Sequence, residues 1–341
     1  MNFRRLLIYV FQAWTFAILG SVLVGPLVVA GRLFNTLQPG LNHTLDRHFD
    51  PKQAHLDDGK AKREKGDYDG AIAAYNQALE LDAQYTPAYD YRGEAKAAMD
   101  DNEGAIADYN TVLALDPNDF EAYFSRGQAE AALGDYDGAI ADYDHALAMD
   151  PGDAESCANL GMTKDSKGDH AAAMADLNHA IELDPKDGYC HVDRGVVEEV
   201  HGDFAAALAD YEQEIKLNPD DTFSYYPRLY RQLLLRRLGR PADDFAKTVA
   251  GWKDGWAKTL GLYLAGSLDE TALLTAAETK HLEPVKGQQC EAYYFIGLTH
   301  RLNGDQTGAR DFLQKCAATD LKDYNEYKFA QAELARLDPA Q

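Results

Sequence analysis

The sequence predicts an all-α fold, a superhelical solenoid of antiparallel helix pairs, and three observations predict it. The tripeptide Asp116-Pro117-Asn118 returns as Asp150-Pro151-Gly152, Asp184-Pro185-Lys186 and Asn218-Pro219-Asp220, each 34 residues on. Gly59, Gly93, Gly127, Gly161 and Gly195 keep the same step, and so do Ala71, Ala105, Ala139, Ala173 and Ala207. A unit of that length with Gly, Ala and Pro at fixed phases is one helix pair. It cannot bury its apolar face alone and stacks on copies of itself.

The first element lies ahead of the repeats. Leu6 to Gly31 is 26 residues without a charge, flanked by Arg4, Arg5 and Arg32. That exceeds the roughly 20 residues needed to cross a bilayer core and the roughly 7–15 of a signal-peptide core. Residues 1–35 are therefore expected to be a transmembrane anchor. A cleaved signal stays open, because Val28-Val29-Ala30 after Gly25-Pro26 has the small residues of a cleavage site. The flanking arginines keep the N-terminus cytoplasmic, which sends the body to the periplasmic or extracytoplasmic side. Residues 36–51 read as a linker.

Repeats follow at 52–85, 86–119, 120–153, 154–187 and 188–221. First helices end at Gly66-Asp67, Asp100-Asp101, Gly134-Asp135, Gly168-Asp169 and Gly202-Asp203. Gly permits the left-handed backbone that closes a helix, and Asp caps the next one. In the second helices Ala71, Tyr75 and Ala78 lie on one face, at steps of four and three. Over 52–221 the pattern resembles the tetratricopeptide repeat (TPR). It departs at the large fourth position, where His55, Tyr89, Tyr123, Cys157 and His191 stand in place of the family's Trp, so looser packing is expected toward 157–191.

The phase breaks after Pro219. Residues 222–289 form atypical helical pairs, beginning with a stretch that concentrates Arg228, Arg231, Arg236, Arg237 and Arg240 without an acidic residue among them. The cluster reads as an anionic-partner patch, as an intramolecular latch onto the acidic repeats, or as cations favoured at a helix C-terminus. A TPR-like unit returns over 290–341, with Tyr293, Gly297, the turn Gly304-Asp305, Ala309 and Leu313, and a last helix from Asp323 to Leu337 is expected to cap the stack. Cys290 and Cys316 would face each other in that hairpin, either bridged or as two buried thiols.

Trp252 and Trp256 precede Leu262-Tyr263-Leu264-Ala265-Gly266, followed by Tyr293-Tyr294-Phe295-Ile296-Gly297, Gly304-Asp305, Ala309, Phe312, Tyr324, Tyr327 and Glu333-Leu334. This order resembles the NlpI family of envelope TPR lipoproteins over about 52–337, with a hydrophobic helix where that family carries a lipid. The resemblance implies self-association into a homodimer, and partners that are an envelope protease and peptidoglycan hydrolases.

Acidic residues outnumber basic ones 56 to 33, a formal charge of −23 that repels phosphate backbones and argues against nucleic acid. No hydrolase elbow, P-loop or dinucleotide fingerprint occurs, the cysteines form no CxxC pair, and the histidines lack metal-ligand spacing. An enzyme, a cofactor and a metal are therefore not expected. What remains is a groove along the first helices, where Leu56, Lys60, Arg63, Asp90, Glu94, Phe124, Gln128, Met162, Tyr189, Val192 and Val196 are the candidate protein-binding residues. Its acidic side suits a basic segment with apolar anchors. Its apolar end (Tyr189, Val192, Val196) either binds a partner or is buried against 222–260. The expected function is a non-catalytic membrane-anchored adaptor, with a structural subunit of a membrane-embedded assembly (secretion, outer-membrane assembly or division) as the alternative.

Overall fold

In the computed structural model, residues 50–219, 224–241, 244–279, 285–322 and 324–338 are described. The expected anchor over 1–35 and the linker as far as 49 lie outside them, whereas Asp50 and Pro51, expected to end the linker, cap and open the first helix. Among the described residues no helix is long and apolar enough to cross a membrane.

The described residues hold seventeen helices and no strand. Five pairs form the array: α1 (Pro51–Arg63) with α2 (Tyr68–Leu81), α3 (Thr86–Ala97) with α4 (Asn102–Leu115), α5 (Phe120–Leu133) with α6 (Tyr136–Met149), α7 (Ala154–Lys167) with α8 (His170–Leu183), and α9 (Gly188–His201) with α10 (Phe204–Leu217). Each turn has the expected chemistry. Gly66, Gly134, Gly168 and Gly202 sit at φ of 75, 82, 100 and 92°, and Asp100 takes φ 63° where the second repeat lacks the glycine. Asp67, Asp101, Asp135, Asp169 and Asp203 then cap α2, α4, α6, α8 and α10 by accepting a backbone N–H three residues on.

The mid-helix glycines have a packing reason. A Cβ on Gly59 would stand 2.3 Å from the ring of Tyr75, and one on Gly93 2.7 Å from that of Tyr109. Each tyrosine of a second helix lies flat on the glycine of its own first helix, and Tyr75 is wholly buried. In the fourth repeat Leu177 takes the ring's place above Gly161.

A polar ladder joins the repeats. Arg92 donates to both carboxylate oxygens of Asp108, sixteen residues on, and to Asn76 of the preceding repeat at 2.5 Å. Arg126 repeats this with Asp142 and Asn110, and Arg194 with Asp210 and Asn178. The three aspartates are only 3–4% exposed, so each fork satisfies a buried carboxylate while stapling one repeat to the next. The ladder lapses in the fourth repeat. Leu160 stands in the arginine position there, Asp144 replaces the asparagine behind it, and Lys164 takes over Asp176 at 2.6 Å.

The fourth positions toward 157–191 are occupied. Cys157 is buried with Leu177 and Ala180, and His191 bonds Asp210 at 3.0 Å.

The chain then closes on itself. α11 (Tyr225–Arg237) packs on α10, and Gly239 closes it at φ 62°. The short helices α12 (Phe245–Ala250), α13 (Trp256–Leu264) and α14 (Glu270–Ala277) lead to α15 (Val285–Leu302), α16 (Gln306–Ala317) and α17 (Asn325–Leu337). α15 begins five residues ahead of Cys290, the expected start of this unit. Cys290 and Cys316 do face each other, as free thiols 3.3 Å apart and fully buried.

The last helix departs from expectation. Asp323 lies outside the described residues, and α17 does not cap the end with a solvated outer face. It turns back onto α9 and α15, with Phe329 1% exposed against Tyr230 and Tyr294. Tyr230 donates to Glu326 at 2.5 Å, and Arg336 donates to the carbonyls of Glu199 and Val200 at 2.9 and 2.5 Å. Those carbonyls belong to the last turn of α9, where the Glu199 oxygen also accepts the Gly202 N–H, and Arg336 adds a side-chain donor to that helix end.

Candidate protein-binding groove

First helices of successive repeats touch one another, α1 with α3, α3 with α5, α5 with α7 and α7 with α9. They therefore form the inner side of the stack. Along this side the candidate residues divide into three groups.

Leu56 and Val196 are core residues, 2% and 1% exposed, packed with Tyr75 and with Tyr211 respectively, and they present nothing to a partner. An apolar residue one helix step off the groove line is drawn between the two helices of its own pair, because burial of a Leu or Val side chain is worth about 1.5–3 kcal/mol. Met162 and Val192 are half-buried against the C-terminal core. The apolar end of the groove is thus covered, by α17 rather than by 222–260. Tyr327, Lys328 and Gln331 of α17 face Met162 and Val196 across a cavity of 340 Å³. Tyr189, 55% exposed, remains at the surface.

At the opposite end the side chains engage each other. Lys60 and Arg63 lie over the ring of Tyr91, at 4.1 and 5.1 Å, and Arg63 pairs with Glu94. Midway, Phe124 is half-buried against Tyr143, 6.0 Å between ring centres, and Gln128 is exposed.

Asp90 differs from all of these. Its Oδ1 is buried with no hydrogen-bond partner. Burial, followed by the charges of Asp119, Glu121 and Asp108, pushes its carboxyl up to about 7. An acceptor in that state gains most from a cation or donor supplied by something laid along the groove. Burial also raises Glu130 and Asp193 on the same helix layer to about 7, with Lys328 of α17 opposing the shift at Asp193.

The arginine cluster is largely spent inside the molecule. Arg228 donates to the Pro219 carbonyl at 2.6 Å, Arg231 to Glu212 at 3.0 Å, Arg236 to Asn303 at 3.1 Å, and Arg237 twice to Glu333 at 2.7 Å. Arg240 is exposed. Two of the latch contacts, Arg231 to α10 and Arg237 to α17, tie α11 to both its neighbours.

One grouping was hidden by its spacing. Asp165 Oδ1 accepts contacts from His170 Nδ1 at 3.2 Å and His201 Nε2 at 2.8 Å, bringing three ligand-type residues within 4.8 Å. The two imidazoles stack at 3.7 Å with 27° between their planes. The group is a stacked imidazole pair whose facing nitrogens share one carboxylate oxygen.

Comparison with known proteins agrees with this geometry. Family models described as tetratricopeptide repeat match residues 95–162 and 154–187, and one described as TPR repeat matches 59–100. Residues 59–187 accordingly carry TPR repeats. No curated protein matches it. Among solved structures, a tetratricopeptide repeat protein from Parabacteroides merdae is 15% identical with a TM-score of 0.53, covering 82% of this chain and 98% of that one. MamA is 26% identical with a TM-score of 0.42, over 47% of this chain and 94% of its own. TTC0263, a thermophilic TPR protein in Thermus thermophilus, is 20% identical with a TM-score of 0.47, over 54% and 98%. The likeness to the Parabacteroides merdae protein, at 15% identity, is one of fold alone.

Proposed function

We propose that the protein is a non-catalytic scaffold that holds a segment of another protein along the inner face of its first three repeats. The observation that carries this is Asp90, a groove carboxylate with a buried oxygen left without a donor, beside Glu121 and Asp119. A basic side chain of the partner would complete it, and the formal charge of −23 would steer such a partner in. Phe124, the equivalent position in the next repeat, and the exposed Gln128 one turn further along α5 supply an apolar and a polar contact for the same segment. The C-terminal end of the groove is occupied by α17, which directs the partner to 53–132.

The uncharged stretch 6–31 supports tethering of this scaffold to a membrane, with its body on the extracytoplasmic side. Holding partners there raises their local concentration and promotes a reaction the scaffold does not perform. The order of packing residues shared with envelope TPR lipoproteins supports an envelope protease and peptidoglycan hydrolases as the held proteins, and a homodimer as the working form. The alternative, a subunit of a membrane-embedded assembly, draws on the same stretch.

The test is capture from native membranes by the full-length protein and by its Asp90→Lys, Glu121→Lys variant, with identification by mass spectrometry. Partners held by the wild type and lost by a folded variant support the groove. Identical capture by both refutes it. A protease with cell-wall hydrolases supports the adaptor, whereas a stable set of membrane-complex subunits supports the alternative.

A further inference from the structure

Three guanidinium groups from three helices converge on one buried carboxylate. Glu333 on α17, 2% exposed, accepts two bonds of 2.7 Å from Arg237 of α11 and one of 2.5 Å from Arg336 of its own helix, and forms an ion pair with Arg301 of α15 at 2.7 Å. Arg237 and Arg336 also lie over the ring of Phe204, at 4.2 and 5.0 Å. A fourth arginine, Arg236, stands beside them and donates to Asn303 at 3.1 Å. With Phe204 and Gln306, the four arginines line a cavity of 480 Å³ open to solvent.

The charges there do not balance. Four fixed cations meet one ionised carboxylate, which the arginines hold below its usual range against the opposing effect of burial. Glu199 turns its carboxyl to Tyr211 and Tyr294 at 3.1 and 3.3 Å and gives the cluster its backbone carbonyl. Arg237, Arg301 and Arg336 share one carboxylate and Arg236 meets an amide oxygen, a concentration of positive charge in a chain of net charge −23. Like charges held this close repel unless an anion enters.

The geometry also selects the anion. Arg236, Arg301 and Arg336 come from α11, α15 and α17, so guanidinium groups of three helices line the cavity. A carboxylate offers acceptors in a single plane, which Glu333 already supplies. A phosphate group presents oxygens tetrahedrally and matches guanidinium forks on several faces. The cavity falls within the roughly 300–1,000 Å³ of small-ligand sites, more than a phosphate group alone requires.

We propose that this cavity is a binding site for a phosphate monoester, held by Arg236, Arg301 and Arg336 with Phe204 and Gln306 beside the esterified group. The ester is either a soluble metabolite or the headgroup of a monoester phospholipid. Isothermal titration calorimetry of the full-length protein, at matched ionic strength in chloride, uses glycerol 3-phosphate, short-chain dihexanoyl phosphatidic acid below its micelle concentration, and acetate. Arg236→Ala is the variant of choice, because it leaves the Glu333 contacts in place. Saturable binding of at least one phosphate ester, weakened at least tenfold by R236A, is expected. Tighter binding of glycerol 3-phosphate identifies a soluble ester, and tighter binding of the short-chain lipid identifies a headgroup. Acetate binding as tightly as the esters, equal affinity in R236A, or binding of neither ester overturns the proposal.

Discussion

Replacement of Arg126 by Met should cost about 2–3 kcal/mol, for reasons that can be read from the ladder. Met keeps an apolar stem of similar reach but removes the fork that donates twice to Asp142, at 2.7 Å each, and once to Asn110 at 2.6 Å. The Asp142 side chain is 4% exposed, so its charge would be stranded. Removing one partner of a fully buried pair costs about 3–5 kcal/mol. The Arg126 head is 19% exposed, which lets water reach the vacated site and sets the figure below that range. In a domain of this size each kcal/mol moves the midpoint by about 2–4 °C, so thermal unfolding should fall by about 4–12 °C. Urea unfolding followed by circular dichroism measures the loss. Asp142→Asn in the R126M background should recover part of it, since no charge is then orphaned, giving a coupling of at least ~1 kcal/mol. A cost below about 0.5 kcal/mol, or strict additivity, would refute the argument that the ladder staples the repeats. Lys167→Ala serves as the control. Its partner Asp137 is 80% exposed, and the midpoint should not move.

Further outcomes follow from the same contacts. Gly93→Ala drives a methyl into the ring of Tyr109 at 2.7 Å and should destabilise by about 1–3 kcal/mol in thermal or urea unfolding, whereas the neighbouring exposed Ala98→Gly should cost no more than about 1 kcal/mol. Stability should rise as pH falls from about 7.5 to 5.5. Asp90, Glu130, Asp193 and Glu199, all raised to about 7, bind protons in the folded state that the unfolded chain, with ordinary carboxyls, takes up only near pH 4. His300, raised mainly by its bonds to Glu270 and Asp305 against burial, adds to the same trend. A melting temperature that climbs with pH across this window would contradict the assignment, and Asp90→Asn should flatten the slope. All four cysteines are buried, so an aromatic disulfide reagent should leave them unlabelled until the protein unfolds, with Cys316, pushed up by Cys290 and burial, the poorest nucleophile of the facing pair. Rapid labelling of native protein would contradict the packing of α15 on α16.

The local parts of this fold were written in the chain. Turn glycines, capping aspartates and the Ala–Tyr face of each second helix depend on neighbours within one helix pair, and a period of 34 residues displays them directly. The ladder was not among the expectations: Arg92, Arg126 and Arg194 keep step with Asp108, Asp142 and Asp210, but a charge at a helix surface reads as a solvated one until its partner is placed. Asp90 sat among the candidates, but only the packing of its surroundings separates an orphaned oxygen from a hydrated one. The C-terminal half was decided by tertiary contacts alone. Glu333 lies 96 residues from Arg237, and Arg336 lies 137 from the carbonyl it caps. Periodicity cannot carry information over such distances once the repeat is broken. Whether an amphipathic last helix closes the stack or folds back over the groove depends on which face buries more apolar surface, and α17 found that face on α9 and α15, beside the C-terminal carbonyls of α9.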